Sequence, residues 1–214
     1  MAFVGDYSFF GFTSPIQGRR YRLEVGSQIG DLSYQTILGD YREYLFADPV
    51  TVALRGLHFG RYGADAEDSR LTPLFLGNGQ LVQGYSFFTF DPSECGASPQ
   101  QCPVFNRLVG SRMAATSLEV RVLLFGSREL GLFSFPFLPT ELVAFADGGA
   151  AWSSDSPLNF DFTRESNERI PVFSTRVSAR INVLGFVVVE LMGVFPFQRP
   201  DQGWHFDFQF SPGW

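Results

Sequence analysis

The chain has 214 residues, enough for one domain, and a formal net charge of −6 at pH 7. This acidic balance and the absence of a basic cluster argue against nucleic-acid binding. No run of about 18 uninterrupted apolar residues occurs, which excludes a transmembrane helix. Phenylalanine nevertheless occurs 25 times while mean hydropathy is only +0.03. Apolar residues are therefore abundant but interleaved with polar ones.

Alternation of apolar and polar residues predicts an all-β chain of about eight strands. The predicted strands cover residues 20–28, 32–45, 50–61, 113–125, 141–152, 176–183, 186–197 and 204–211. Residues 1–18 hold a partial N-terminal strand and a turn, so counts of nine or ten strands stay open. The even count of eight predicts that both termini lie on one side of the sheet.

The terminal strand has one wholly aromatic face, because its aromatic residues alternate with polar ones. It is followed by a final tryptophan. The aromatic positions are Trp204, Phe206, Phe208, Phe210 and Trp214. This arrangement is similar to the C-terminal signal strand of bacterial outer-membrane β-barrels. It predicts a barrel whose aromatic outer surface lies in lipid.

The polar faces of the predicted strands are too charged for a soluble core. In a barrel, these charges pair in the lumen while the apolar face meets lipid. The predicted lumen network is Glu119, Arg121, Asp147, Arg176, Arg180, Glu190 and Asp207. The predicted outward face is Leu118, Val120, Val122, Leu124, Val187, Val189, Leu191, Trp204, Phe206 and Phe208. Alternation alone also fits a soluble barrel or sandwich that binds an apolar ligand.

Residues 63–111 are rich in Gly, Pro, Asp and Ser and are predicted to form one long extracellular loop. Cys95 and Cys102 lie in this loop. Two cysteines without a nearby histidine are too few ligands for a structural zinc site, so a disulfide is predicted, which implies an oxidising compartment. The acidic residues Asp65, Glu67 and Asp68 could bind calcium, but a solvated acidic loop is the preferred interpretation.

Several motifs resemble a known family when they are taken in order. They are DYSFFGFTSPIQGRRYRLEV (6–25), LVQGY (81–85), GSRMAATSLEVRVLLF (110–125), AFADGGAAW (144–152) and FPFQRPDQGWHFDFQFSPGW (195–214). They resemble the outer-membrane assembly and translocation family, the BamA/TamA-like bacterial surface-antigen barrels, including those fused to periplasmic β-propellers. The resemblance covers nearly the whole chain but only the C-terminal half of the family's sixteen-stranded barrel.

The resemblance implies a loop motif that docks in the lumen through an arginine. Here the matching positions are Val82, Gln83, Gly84 and Tyr85. Because Gln83 replaces the arginine, its charge-assisted contact with Glu119 and Asp147 is expected to be lost. An eight-stranded barrel is only wide enough for its own side chains. The loop is therefore expected over the mouth of the barrel, outside the lumen, with no open pore.

The sequence thus predicts one domain, residues 1–214, forming a closed antiparallel transmembrane β-barrel of the bacterial outer membrane with both termini periplasmic. Its expected role is structural, without catalysis, cofactor or metal. The expected partners are the lipid bilayer or detergent and, during insertion, the cell's barrel-assembly machinery, and a monomer is expected. The alternatives are the soluble apolar-ligand binder, an insertase or translocase that retains the family's activity, and a hydrolase using His205 at the rim of the lumen.

Overall fold

The structure is a computed structural model that describes residues 1–78, 81–90, 94, 102–160, 169–199 and 201–212. It confirms the all-β class. The strands are β1 Ala2–Asp6, β2 Phe9–Phe10, β3 Pro15–Gln28, β4 Tyr34–Ala47, β5 Val50–Tyr62, β6 Leu74–Phe75, β7 Val109–Gly110, β8 Arg112–Gly126, β9 Phe133–Ser134, β10 Thr140–Trp152, β11 Val172–Val183, β12 Val187–Pro196 and β13 His205–Pro212. A 3₁₀ helix covers Phe87–Thr89, and helix α1 covers Pro103–Asn106. Among the residues described, no helix is long and apolar enough to cross a membrane.

Eleven of the strands form one sheet, in which nine follow the order β1-β3-β4-β5-β8-β10-β11-β12-β13. Neighbours in this order are antiparallel, while β2 pairs with β3 and β9 pairs in parallel with β8. Strands β6 and β7 form a separate two-stranded sheet. The eight predicted strands correspond to the long strands of the main sheet, but the count of eight is wrong. Strand β1 adds a ninth strand to the order, and β2 and β9 add two short ones.

The ninth strand changes the relation between the two edges of the sheet. In an antiparallel order of nine strands, β1 and β13 run in the same direction. Ala2 pairs with Glu24 towards the end of β3, whereas Pro212 pairs with Val187 at the start of β12. The prediction that both chain ends lie on one side is therefore wrong for the described ends. No pairing joins β1 to β13 within the described part of the chain.

The sheet is strongly curved. Residues 11–15 cross its concave face, where the Ser14 hydroxyl lies 3.0 Å from Glu141 Oε1 and Asn182 Nδ2 donates to the Phe12 carbonyl at 2.5 Å. Strand β3, which begins at Pro15, is five places from β11 in the sheet order. A flat sheet would hold these strands more than 20 Å apart at about 4.8 Å a step. The crossing segment therefore lies across the inside of a half-cylinder.

The two faces of the sheet have opposite character. The convex outer face carries exposed apolar side chains, and the predicted outward positions lie on it, with Leu118 42% exposed and Phe206 71% exposed. The apolar core lies on the concave side, where the long loop packs against β8, β10 and β11. This core contains Leu76, Val82, Tyr85, Leu108, Ala115, Ala151 and Val172. The structure thus buries the loop inside the curve of the sheet.

Candidate functional site

A network of ion pairs covers the concave face where β8, β10, β11 and β12 lie side by side. Arg121 Nε donates to Glu119 Oε2 at 2.7 Å. Arg180 bridges three carboxylates, with Nη1 3.4 Å from Glu119 and 3.6 Å from Glu141, and Nε 3.3 Å from Glu190. Alternate residues of a strand lie on the same face. Glu119 and Arg121, two apart on β8, therefore both point to the concave side.

Glu190 is the second centre of this network. Its carboxylate accepts hydrogen bonds from the Ser178 hydroxyl and from Gln209 Nε2, both at 2.6 Å. Arg176 Nη1 lies 3.8 Å from Glu190, and the guanidinium stacks 3.5 Å from the centroid of the Phe145 ring. A cation over an aromatic face is stabilised by the ring quadrupole, most strongly when both groups are away from water. The network is therefore held by rings as well as by charges.

The remaining two predicted lumen residues have different surroundings. Asp147 accepts a hydrogen bond from the Ser117 hydroxyl at 2.6 Å and another from the backbone N–H of Gln83. Asp207 is not joined to the network within the described residues, and its carboxylate accepts the Phe208 N–H at 2.8 Å. Among the residues described, Asp207 forms no ion pair with the arginines of β11, so its predicted membership of the network gains no support.

The network also includes residues that were not predicted. Glu141 is 2% exposed and contacts Ser14 and Arg180. Asp40 bridges Arg42 and Arg55, at 2.8 and 2.9 Å. The full set contains Arg42, Arg55, Arg121, Arg176, Arg180, Asp40, Glu119, Glu141, Asp147 and Glu190. Among the residues described, this set has five arginines and five carboxylates, so the charges that face one another here balance.

A cavity of about 260 Å³ lies between the network and the loop. Its lining includes Arg42, Arg55, Gln83, Glu119, Asp147 and Arg176. An apolar molecule placed here would displace water from these charged side chains without hydrogen-bonding to them, which is costly. The cavity therefore does not fit the alternative of an apolar-ligand carrier.

The loop motif lies inside the curve of the sheet, and the prediction that it stays outside is wrong. Val82 and Tyr85 are fully buried. Gly84 has a φ of +82°, and a Cβ there would lie 3.0 Å from Val194 Cγ1, so only glycine fits this approach to β12. The Tyr85 hydroxyl donates to the Phe173 carbonyl at 2.9 Å. A closed eight-stranded barrel would exclude the loop, whereas this open sheet, with nine strands in its order, leaves room for it.

Arg199 holds the next part of the loop, a role that no sequence pattern indicates. Its side chain is 0% exposed. Its guanidinium contacts Glu94 at 2.6 Å, the Gly84 carbonyl at 2.5 Å and the Thr89 carbonyl at 2.6 Å, and it lies 4.3 Å from the Phe90 ring centroid. Arg199 lies in QRPDQG, a turn-forming composition that indicates an exposed segment. The structure instead uses it to bind the loop.

The acidic loop residues bind separate partners. Asp65 accepts the Ser33 N–H at 2.7 Å, and Asp68 pairs with Arg70. Glu67 accepts the Ser111 hydroxyl at 2.7 Å, and this hydrogen bond is the main reason that the pKa of Glu67 is lowered. In the described parts of the chain, no group of three or more His, Cys, Asp or Glu side chains could hold a metal ion.

His205 faces the concave side beside Gly84, and its buried Nε2 has no hydrogen-bond partner in the described structure. Among the residues described, no hydroxyl is hydrogen-bonded to His205, so the hydrolase alternative gains no support from these contacts. Cys102 is 2% exposed, while Cys95 and Trp214 lie outside the described residues. The disulfide and the role of the last residue stay predictions.

No protein-family model matches the chain, and no curated protein matches it.

Proposed function

We propose that this chain forms the lipid-facing wall of a bacterial outer-membrane β-barrel, with a structural role and no catalysis. The observation that carries the proposal is the exposed apolar outer face, which continues across every long strand. Representative residues from β3 to β13 are Leu23, Ile37, Leu45, Leu54, Leu118, Leu142, Val177, Leu191 and Phe208, all at least 39% exposed. A water-soluble monomer rarely exposes so large an apolar surface, whereas a membrane barrel requires one.

We propose further that the barrel is closed and wider than eight strands. In lipid, the unpaired backbone groups of β1 and β13 would cost several kcal/mol each, so both edges need partners. Because the two edges run in the same direction, antiparallel closure requires an odd number of additional strands. The family resemblance implies sixteen strands. Nine strands are present in the sheet order, so a sixteen-stranded barrel would need seven more, an odd number as antiparallel closure requires.

The concave side of the sheet is filled by parts of the chain, which favours a barrel without an open pore. Residues 11–15 cross the concave face near one end of the strands, and the loop motif fills it near the other. If the end of β13 is periplasmic, as the family resemblance implies, the long loop enters from outside the cell. The bilayer and the barrel-assembly machinery are the partners that this proposal implies.

One observation favours the insertase or translocase alternative. The loop motif contacts Asp147 on the inner wall, as the family resemblance implies for an active loop, although a backbone N–H replaces the arginine side chain. Comparing the folding rate of a second outer-membrane protein in vesicles with and without this chain addresses the alternative. Acceleration that is lost when Asp147 is changed to Asn would favour it over a purely structural role.

Refolding into phospholipid vesicles tests the main proposal. The chain should float with the vesicles on a density gradient and resist extraction by carbonate or urea. In the absence of lipid, it should need detergent to stay monodisperse. Monodisperse protein in detergent-free buffer that does not associate with vesicles would contradict the proposal.

A further inference from the structure

The connection between β8 and β10 exposes a run of apolar residues beyond the ends of the strands. Every residue from 132 to 138 is exposed, and Phe137 is 75% exposed. The neighbouring turn between β11 and β12 adds two more exposed apolar residues. We call this set the aromatic rim, which consists of Leu132, Phe133, Phe135, Phe137, Leu138, Leu184 and Phe186.

The aromatic rim continues the outer face of the sheet. Phe133 pairs with Phe125 on β8, and Phe125 pairs with Thr140 on β10. The row continues across the sheet, where each residue pairs with the next, through Ile181, Val189 and Phe210. Directly paired residues share a face, and Val189 and Phe210 lie on the apolar outer face. The bulge at Thr140 and Glu141 brings Phe125 onto that face, because a bulge re-aims the side chains beside it.

The rim is ordered within the chain. The rings of Phe125 and Phe133 are 6.0 Å apart, those of Phe125 and Phe135 are 6.2 Å apart, and those of Phe135 and Phe137 are 6.1 Å apart. The Asn182 N–H donates to the Pro139 carbonyl at 2.9 Å, which holds the two parts of the rim side by side. Packed rings that still face outward indicate a surface built to contact something apolar.

The turn at Leu184 is a second, independent observation. Leu184 has a φ of +54° in the hairpin turn between β11 and β12, a conformation that favours Gly, Asn or Asp. Its side chain is 73% exposed, so packing within the chain does not compensate for the strain. An apolar environment outside the chain would stabilise leucine at this position.

We propose that the aromatic rim inserts into the interfacial layer of the membrane leaflet at the end of β13, which is the periplasmic leaflet in the topology above. This inference rests on the proposed function. The rim is continuous with the outer face, and Arg128 and Glu129 are the only charged residues in 127–139. Exposed phenylalanine and leucine with little charge match the apolar boundary between headgroups and acyl chains. The rim thereby fixes the depth of the β8–β12 side of the wall.

Depth-dependent quenching of a fluorescent label tests the proposal in the full chain folded into vesicles. Labels are attached after Phe137→Cys or Leu184→Cys, with Arg128→Cys as the matched control in the same connection, all in a Cys95→Ser, Cys102→Ser background. Lipids with a quencher near the headgroup should reduce emission from positions 137 and 184, whereas aqueous iodide should quench position 128 more strongly. Val189→Cys reports separately on the outer face.

The outcomes distinguish the inference from the proposed function. Iodide quenching at 137 and 184 equal to that at 128, with Val189→Cys still quenched by lipid, would overturn the rim proposal alone and point to a protein partner or a second copy. Iodide quenching at 189 as well would overturn both. If the cysteine variants fold poorly, the unmodified protein can be cross-linked to a lipid that is photoreactive near its headgroup. Adducts on 132–138 and 184–186 are expected, and their absence alongside adducts on β13 would overturn the proposal.

Discussion

Replacing Arg199 with Met should release the long loop from the concave face. Methionine keeps much of the apolar stem but removes the guanidinium that contacts Glu94 at 2.6 Å and the carbonyls of Gly84 and Thr89. Arg199 is 0% exposed and the Glu94 side chain is 2% exposed, so water does not replace the lost contacts in the closed state. The variant leaves a carboxylate and two carbonyls without their shared donor.

The expected cost follows from this burial. Removing one partner of a buried ion pair typically costs about 3–5 kcal/mol, because the remaining charge is uncompensated. At about 1.4 kcal/mol for each factor of ten, loop opening should become roughly two to three and a half orders of magnitude more frequent. The double variant Arg199→Met, Glu94→Gln also removes the buried negative charge that Arg199 balances in the wild type. It should therefore open less often than Arg199→Met alone.

Hydrogen exchange of the backbone amides of residues 82–90, followed by mass spectrometry in detergent or vesicles, measures this opening directly. Arg112→Met is the matched control, because Arg112 lies 3.9 Å from Glu67 with 23% of its side chain exposed, and such a pair contributes little. Exchange in Arg199→Met that equals wild type, or a double variant that opens more than the single one, would refute the reasoning.

Three further predictions concern other parts of the chain. Val189→Arg should reduce the free energy of unfolding in vesicles by about 2–4 kcal/mol, with Val189→Ala as the control, and a change as small as that of alanine would argue against lipid at this face. Thiol labelling of unreduced protein should be negative at Cys95 and Cys102, and two reactive thiols would disprove the disulfide. Because the folded pKa of Glu67 is lowered from 4.5, its contacts should stabilise the folded loop above that pH and be lost as pH falls through the lowered value. Hydrogen exchange near residues 67 and 154 should therefore rise on acidification in wild type, and a rise of equal size in Glu67→Gln would contradict this.

Strand positions could be predicted because alternation is a local property. Each long strand faces one environment on its convex side and another on its concave side, so period two is visible in the sequence itself. Strand β1 was harder, because Phe3, Val4 and Gly5 do not alternate. The same parity would have placed Glu141 on the same face of its strand as Asp147, since the two residues are six apart on one strand.

The location of the loop could not be predicted from local patterns. It depends on how many strands enclose the interior, and that number is a property of the whole sheet. The Arg199–Glu94 pair joins residues 105 positions apart in the sequence, in a segment whose composition indicates an exposed turn. Only the assembled topology brings them together. The charge network could be predicted only in part. Strand alternation shows which charged residues face the interior, but it does not show which of them form ion pairs.

The central claim is that the convex face of the sheet lies in lipid. Spin labels placed one at a time along β12 test it most directly, through collision with oxygen, which concentrates in lipid, and with a water-soluble nickel complex. If the convex face lies in lipid, oxygen collision should vary with a period of two, highest at Val187, Val189 and Leu191 and low at Val188, Glu190 and Met192. Nickel collision that is highest at Val187, Val189 and Leu191, or oxygen collision without alternation, would contradict the account.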